Sequence, residues 1–363
     1  MNTLVYIITF FVTVAFSIIC TRIVRVIALR KHITDNPASA PERKKQSQAI
    51  PLLGGWAIYA SFVCGTAVSL VISHLLIDSF LSSRQLFGIL LGGLIIVVGG
   101  TLDDRKNLRA ATQMLFPVLA ILTVIFFGVG VDYITSPFGG VLILDNIKIA
   151  VLHIKDITYH LTLWSDIFTF VWLLILMYAT KLLDGVDGLA SGVGVIGSVL
   201  LFGLSLTSAV NQPGTALLSI IVTGSIFGFW LSNKYPARIY LGEGGSVLIG
   251  FFLGLLAIIS GAKIATALLI LALPILDVAW VMLTRIRRGK KFWQSDRSHL
   301  HFRLQDRGLS PKSVLYIFYS LSLLFGLSAL FANAWIKFIL LVVAIFLSLA
   351  LVLFALKKPT LLE

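Results

Sequence analysis

The sequence predicts an all-α integral membrane protein with about eleven transmembrane helices, one for each apolar run of about 20 residues. The 363 residues are 58% hydrophobic and only 12% charged, and the mean hydropathy is +0.98. Most of the Lys and Arg lie in alternate connections between the runs, which is typical of polytopic membrane proteins. We therefore interpret residues 1–363 as a single membrane domain.

The apolar runs define the predicted spans. The first run lacks a basic segment before it and an early small-residue cleavage site, and it continues into Arg22 and Arg25. It is therefore predicted to be a retained span and not a cleaved signal peptide. The runs lie at 4–24, 52–76, 86–102, 112–128, 166–183, 192–210, 214–232, 245–260, 263–284, 313–332 and 335–356.

The basic residues predict the orientation. The protein is expected in the inner (cytoplasmic) membrane, with its N-terminus outside and its C-terminus in the cytoplasm. The net charge of +13 has the same origin and favours anionic lipid heads and phosphate groups. Because the charges lie in short membrane loops, nucleic acid is not expected as a partner. The predicted cytoplasmic loops lie near 29–50, 103–110, 181–192, 233–246 and 285–312.

The longest external connection, residues 129–165, predicts a small β-hairpin near 139–163. β-branched and polar residues alternate there, as they do in a half-buried strand. Asp145-Asn146 supplies a turn between two such stretches. The hairpin is the one expected departure from an all-α fold.

The stretch KLLDGVDGLASG, residues 181–192, places Asp184 and Asp187 at the end of an apolar run. An acidic side chain in hydrocarbon costs about 2.5–3.5 kcal/mol, so such residues are commonly functional. The spacing i, i+3 puts both carboxylates on one face of a helix. Gly185 and Gly188 would let another segment or a ligand approach closely. A helix end followed by a glycine-rich turn is the alternative interpretation.

Two further acidic motifs occur at the predicted cytoplasmic boundary. Asp103 and Asp104 follow the third run, either as a self-neutralising helix cap with the bases after them or as a site for metal or phosphate. Glu243 lies in a Gly-Glu-Gly-Gly setting that disfavours a regular helix. It is either a stray acid in a re-entrant turn or a carboxylate presented to a polar cavity.

The last cytoplasmic loop contributes histidines. His299 and His301 are two residues apart and do not share a helix face, so they are predicted to lie on irregular structure. Asp277 falls inside the ninth run and is either functional or paired with a basic neighbour.

Together these motifs predict phosphoryl transfer at the cytoplasmic face. Carboxylates bind a hard cation such as Mg²⁺, or Mn²⁺ in its place, and bases hold phosphate oxygens. Phosphoryl transfer needs mainly positioning and charge neutralisation, which such a set provides. The many spans predict a lipid acceptor, and the donor is expected to be a soluble phosphorylated metabolite. The set comprises Asp103, Asp104, Asp184, Asp187, Glu243, His299 and His301.

The motifs also resemble those of the polyprenyl-phosphate N-acetylhexosamine-1-phosphate transferases, which include the WecA, TagO and MraY types. The resemblance covers about residues 20–312, and the forms IPLLGG and DRSHLH are closer to the WecA type. It implies transfer of a sugar-1-phosphate from a UDP-sugar to undecaprenyl phosphate, with release of UMP and a requirement for Mg²⁺. The motifs are, in order, IPLLGG, LDDRKNL, LLDGVDGLASG, NKYPARIYLGEGGS, LPILD…RIRRGK and DRSHLHFRL.

The resemblance implies roles residue by residue. The Asp103–Asp104 pair would bind or activate the lipid phosphate near the metal, and Asp184 and Asp187 would serve nucleotide binding and catalysis. His299 and His301 match the first two histidines of an HxHH motif. Glu243 and Asp187 are the predicted metal ligands. The predicted substrate-binding residues are Lys44, Lys181, Asn233, Arg297 and Arg303.

Four positions depart from the family pattern. Lys181 and Tyr178 replace asparagines, Glu243 replaces an aspartate, and Phe302 replaces the third histidine. Glutamate keeps the charge of aspartate on a longer arm, whereas lysine replaces a neutral group with a cation. Lys181 is therefore expected either to hold a substrate phosphate or to pair with Asp184.

The leading hypothesis is a WecA-type transferase that uses UDP-N-acetylglucosamine (UDP-GlcNAc) and initiates a cell-envelope glycan. The alternative in the same class is an MraY-type enzyme that uses UDP-MurNAc-pentapeptide. A transporter is the alternative from another class, but transporters show internal repeats and acids near the bilayer midplane. An inactive relative that binds lipid is a further alternative, and a homodimer is left open.

Overall fold

The structure is a computed structural model that describes residues 2–35, 49–73, 75–77, 81–154, 157–261, 263–289 and 298–356. Two of the predicted substrate-binding residues, Lys44 and Arg297, lie outside these ranges. Within them the chain is mainly helical, and it forms α1 (Asn2–Arg30), α2 (Gly54–Ile72), α3 (Ser83–Lys106), α4 (Ala110–Phe126), α5 (Leu163–Leu183), α6 (Leu189–Leu206), α7 (Pro213–Asn233), α8 (Gly242–Ile259), α9 (Ile264–Ile270), α10 (Ala272–Arg287), α11 (Leu300–Asp306), α12 (Pro311–Phe331) and α13 (Ala334–Leu356).

The predicted all-α membrane fold is confirmed. In the described part of the chain, nine helices are long and apolar enough to span a bilayer. The run predicted at 263–284 is divided into α9 and α10, which meet at 78° and would make a tenth span if counted as one. The run predicted at 112–128 forms α4, which at 17 residues is shorter than each of these nine helices. The full count of eleven and the orientation stay predictions.

Proline explains the break between α9 and α10. Pro274 has no backbone N–H, and its ring conflicts with the carbonyl four residues earlier, that of Ile270. α9 ends at Ile270, and α10 begins two residues later at Ala272. A hydrophobic run that looks continuous in the sequence therefore becomes two short helices.

Three pairs of short antiparallel strands accompany the helices. β1 (Thr34–Asp35) pairs with β2 (Ile50–Pro51), β3 (Tyr133–Thr135) with β4 (Val141–Ile143), and β5 (Lys148–Ile154) with β6 (Ile157–Thr162).

The predicted hairpin exists, but its predicted turn was wrong. Asp145-Asn146 lies between β4 and β5, which belong to different hairpins. The Leu144 N–H donates to the Asp132 carbonyl and extends the pairing of β4 with β3. Alternating sequences fit several registers equally well, so their pairing is decided by the partner strands and not by the alternation itself.

Two helices form the centre of the protein. Most residues of α7 and α8 are buried, whereas α1 and α13 are largely exposed and suited to contact lipid. α5 packs closely on α8 because glycines remove side chains from the contact: a Cβ on Gly250 would overlap the Leu176 carbonyl. At the start of α8, Gly244 lies against Gly100 of α3 and Gly245 against Gly55 of α2. The start of α8 is thus enclosed by two other helices.

Candidate functional site

The site forms around the first turn of α8, where Glu243 lies. The segment before this turn is held by the IPLLGG stretch, because the Tyr240 N–H donates to the Pro51 carbonyl at 2.9 Å. In return, the Gly54 N–H donates to the Tyr240 carbonyl at 3.0 Å. Glu243 therefore follows a backbone segment that two hydrogen bonds hold against the IPLLGG stretch. Its Gly-Glu-Gly-Gly setting is the first turn of a helix and not a re-entrant turn.

Asp103 and Asp104 are adjacent in sequence but have different partners. Asp103 is buried, and its Oδ1 accepts hydrogen bonds from the Leu108 N–H at 2.8 Å and from Gln113 Nε2 at 3.1 Å. It therefore closes the connection between α3 and α4. Asp104 Oδ1 instead accepts from the Glu243 N–H at 3.1 Å, at the positive end of the α8 dipole. Only Asp104 thus lies directly on the first turn of α8.

Lys181 pairs with Glu243. Its Nζ lies 2.7 Å from Glu243 Oε2 and donates to Gln113 Oε1 at 3.2 Å. The same ammonium lies 5.8 Å from the centre of the Tyr178 ring. The expected pairing of Lys181 with Asp184 was wrong, because the first turn of α8 brings Glu243 within reach instead. Binding of a substrate phosphate by Lys181 stays a prediction.

Gln113 is a site residue that the sequence reasoning missed. Its side chain joins Asp103 on α3 to Lys181 on α5, since its amide donates to one and accepts from the other. Through Lys181 the chain of contacts continues to Glu243 and Asp104. A polar residue inside an otherwise apolar run, ten positions after Asp103, was the signal that could have identified it.

The two carboxylates of the DGVDG loop differ in how they are held. Asp187 Oδ2 accepts from the Ala237 N–H at 2.9 Å, and Asp187 also hydrogen-bonds to the Tyr240 hydroxyl. Burial raises the pKa of Asp187, and these hydrogen bonds oppose that rise. Burial and the negative charge of Asp187 also raise the pKa of Tyr240. Asp187 is thus already engaged by two donors.

Asp184 is the carboxylate left open. It is half-buried, and among the described residues its side chain has no hydrogen-bonding partner. Burial, followed by the negative charges of Glu243, Asp187 and Asp104, raises its pKa to about 8. Because negative charges surround it, the Asp184 carboxyl group resists ionisation unless a cation is bound nearby.

The histidine motif reaches the DGVDG loop. A Cβ on Gly185 would overlap the ring of His301 and contact that of Phe302, so only glycine allows this approach. His299 and His301 stack nearly parallel, at 7° with ring centres 5.9 Å apart. Phe302, where the resemblance implies a third histidine, packs on His301 with ring centres 4.2 Å apart.

Asp277 holds this motif in place. Its Oδ2 lies 2.9 Å from His299 Nδ1, and its Oδ1 accepts from the Leu300 N–H at 2.8 Å. Asp277 and His299 are both buried, so of the two interpretations of Asp277 the pairing with a basic neighbour is confirmed. The prediction of irregular structure was wrong for His301, because Asp277 caps a helix that starts at Leu300.

The remaining predicted substrate-binding residues have different settings. Asn233 is buried; its Oδ1 accepts from Ser191 Oγ at 2.6 Å, and its Nδ2 donates to the Ile239 carbonyl at 3.0 Å. These bonds tie the end of α7 to α6 and to the segment before α8. Arg303 is half-buried on α11. Contact of either residue with a substrate stays a prediction.

Comparison with known proteins identifies the family. Residues 86–261 match the model of glycosyl transferase family 4. A Bacillus subtilis protein named as an undecaprenyl-phosphate N-acetylglucosaminyl 1-phosphate transferase is 28% identical over 350 residues, covering 94% of this chain and 89% of the relative. A Sulfolobus acidocaldarius protein named as a UDP-N-acetylglucosamine–dolichyl-phosphate N-acetylglucosaminephosphotransferase is 30% identical over 264 residues, covering 72% of this chain and 74% of the relative.

The chain belongs to glycosyl transferase family 4. The same comparison includes a phospho-N-acetylmuramoyl-pentapeptide-transferase of Lactococcus lactis, which is 27% identical over 305 residues and covers 82% of this chain and 87% of the relative. Membership confirms the resemblance seen in the motifs.

The carboxylates near the first turn of α8 have the chemistry that Mg²⁺ prefers. No three His, Cys, Asp or Glu side chains of the described chain are close enough together to hold a metal by themselves. Mg²⁺ ordinarily binds through one or two carboxylates and completes its shell with water and substrate phosphates. Asp184 and the neighbouring Glu243 would supply such carboxylates, and a divalent cation would offset their mutual repulsion.

Proposed function

We propose that this protein transfers N-acetylglucosamine-1-phosphate from UDP-GlcNAc to a polyprenyl phosphate, most simply undecaprenyl phosphate, with release of UMP. The observation that carries the proposal is the meeting of Asp104, Glu243, Asp184 and His301 where the ends of four helices converge. The names of the relatives in Bacillus subtilis and Sulfolobus acidocaldarius support the substrates. The more distant match to the pentapeptide transferase makes the MraY-type reaction the second candidate.

In the proposed reaction, a phosphate oxygen of the lipid attacks the phosphorus that carries the sugar. The bond from that phosphorus to the UMP oxygen breaks, and UMP leaves with the electron pair. Asp104, near the C-terminal end of α3, would orient the lipid phosphate, and the Asp277–His299 pair with His301 would neutralise the departing UMP; their hydrogen bonds to Glu243 and to each other support these roles. Catalysis then rests on positioning and charge neutralisation.

Mg²⁺ belongs to the same proposal. Two carboxylates of the site, Asp184 and Glu243, would hold it; ligation by Asp187 stays a prediction, because its Oδ2 already accepts from the Ala237 N–H. When bound, the ion neutralises negative charge on the diphosphate. The protein's own part is to keep these carboxylates close together, which the tight contacts at Gly100, Gly244 and Gly185 achieve.

We further propose that the protein lies in the inner membrane and that the site faces the cytoplasm. The described basic residues at 105–109, 234–238 and 285–288 lie in or beside the segments that carry the site, and the positive-inside rule favours the cytoplasmic side for such residues. The UDP-sugar is a cytoplasmic metabolite, so the orientation and the proposed donor are consistent. A homodimer stays a prediction, which light scattering of the purified protein would test.

The test is UMP release by full-length protein in detergent, given undecaprenyl phosphate, Mg²⁺ and either UDP-GlcNAc or UDP-MurNAc-pentapeptide. We expect lipid-dependent UMP from UDP-GlcNAc. Asp184→Asn should lower the rate at least about 100-fold, the scale of a positioned catalytic group. Because Asp184 makes no side-chain hydrogen bond to the described residues, this variant removes a charge without breaking a contact.

Asp145→Asn is the matched control, since Asp145 lies between β4 and β5 and pairs with Lys148. UMP only from the pentapeptide donor would select the second candidate. Folded protein that releases no UMP from either donor would contradict the proposal.

A further inference from the structure

We propose that Lys181 is a built-in counter-ion that occupies Glu243 when no metal is bound and that a divalent cation must displace it. The ammonium thereby sets the metal affinity of the site. This proposal rests on the proposed function for its biological meaning, but it concerns metal binding alone and can be tested without either substrate.

The geometry supports direct competition. Lys181 Nζ lies 2.7 Å from Glu243 Oε2, which is within the range of a charge-assisted hydrogen bond. The side chain of Lys181 is 18% exposed and that of Glu243 is 38% exposed, so water screens this pair only in part. A metal ion on this carboxylate would lie within a few ångströms of the ammonium, and repulsion between the two positive charges makes them compete for Glu243.

The surrounding charges explain why a cation is present at all. Glu243 lies among Asp104 and Asp184, and the three carboxylates repel one another. Lys181 supplies one positive charge to this cluster from inside the protein. A divalent ion supplies two, but it must approach while a unit positive charge remains within a few ångströms, which opposes its binding.

Gln113 provides the place to which the ammonium can withdraw. Its Oε1 accepts from Lys181 Nζ at 3.2 Å, and its Nε2 is held by the buried Asp103. The amide is therefore a fixed neutral acceptor beside the pair. When a cation takes Glu243, Lys181 keeps this partner and stays near the site, where its charge faces the incoming diphosphate.

The sequence departures fit the same interpretation. Lysine stands at position 181, where the resemblance implies asparagine, and glutamate stands at position 243, where it implies aspartate. The structure pairs these two changes with each other across α5 and α8. The longer glutamate arm reaches the lysine, and the added positive charge is matched by a carboxylate instead of lying unpaired in the membrane.

The experiment measures Mn²⁺ binding to full-length protein in detergent by electron paramagnetic resonance, with no nucleotide and no lipid present. Lys181→Gln should bind Mn²⁺ about tenfold more tightly than wild type, because a nearby positive charge is removed and Glu243 is released. Lys181→Met should behave in the same way. Lys312→Gln is the matched control: it removes the same charge from an exposed position at the start of α12 and should leave the affinity unchanged.

A double-mutant cycle separates competition from a general charge effect. In a Glu243→Gln background, Lys181→Gln should change the Mn²⁺ affinity by less than about twofold, because the contested oxygen is gone. Unfolding temperatures identify any variant that fails to fold. Lys181→Gln and Lys181→Met remove the same charge, so either one can test the proposal if the other does not fold. Equal or weaker Mn²⁺ binding by folded Lys181→Gln and Lys181→Met would overturn the proposal, whatever the outcome of the UMP assay.

Discussion

Replacing Asp277 by asparagine tests how the histidine motif is positioned. Asp277 accepts two hydrogen bonds, from His299 Nδ1–H at 2.9 Å and from the Leu300 N–H at 2.8 Å. A carboxylate there requires the proton on Nδ1 and leaves Nε2 as the free nitrogen. Asparagine can keep the bond to Leu300, but its amide group would donate to Nδ1 and favour the other tautomer.

The expected loss follows from these contacts. Asp277→Asn keeps the shape of the site and the helix cap, so the unfolding temperature should change little. A correctly held acid or base contributes about 10²- to 10⁴-fold to a rate, and we expect kcat to fall at least about 100-fold. The KM for UDP-GlcNAc should change much less. Asp277→Ala should also lose about 3 kcal/mol of stability, because it leaves His299 and the Leu300 N–H buried without this partner.

The assay is UMP release with saturating lipid phosphate, read together with thermal unfolding in detergent. Asp166→Asn is the matched control, because Asp166 also caps a helix start, accepting from the Thr162 N–H at 2.8 Å. It lies at the far end of α5 from Asp184 and should retain full activity. A fully active Asp277→Asn enzyme would refute the argument that activity depends on the His299 tautomer that the Asp277 carboxylate selects.

Three further outcomes are expected. Gly185→Ala should lower kcat at least about tenfold, because the added Cβ overlaps His301 and displaces two segments of the site. The control Gly203→Ala should keep the wild-type kcat, because a Cβ there makes only ordinary van der Waals contact. A fully active Gly185→Ala enzyme would contradict the close approach of His301 to Gly185. Asn233→Ala should lower the free energy of unfolding by about 2–3 kcal/mol, because the bonds to Ser191 and to a carbonyl are lost; an unchanged unfolding temperature would argue against this role. Chelation by EDTA should stop UMP release and added Mg²⁺ should restore it, whereas a full rate in EDTA would exclude the proposed metal.

The membrane fold could be predicted because its signals are local. A run of about 20 apolar residues has one stable conformation in a bilayer, the helix, whatever its neighbours are. The two features of the fold that differ from the prediction also have local causes in the sequence. Pro274 breaks a run that looked continuous, and the alternating residues around Asp145 fit more than one hairpin.

The site could be predicted only as a set of residues. An acidic side chain at the end of an apolar run is conspicuous because placing it near hydrocarbon costs free energy. Asp104, Asp184 and Glu243 could therefore be predicted as site residues. Gln113 was not found, because an uncharged amide in an apolar run carries little signal in a single sequence. Its importance comes from the charged groups on both sides of it, which other helices supply.

The sequence by itself determined the helical membrane architecture and the chemical types gathered at one end of it, because hydrophobic length and motif order are properties of the chain. The tertiary structure alone decided the partners. It paired Lys181 with Glu243 and not with Asp184, and it gave Asp277 to His299. Each of these contacts joins residues from different helices, and their distance depends on how glycine faces let those helices pack.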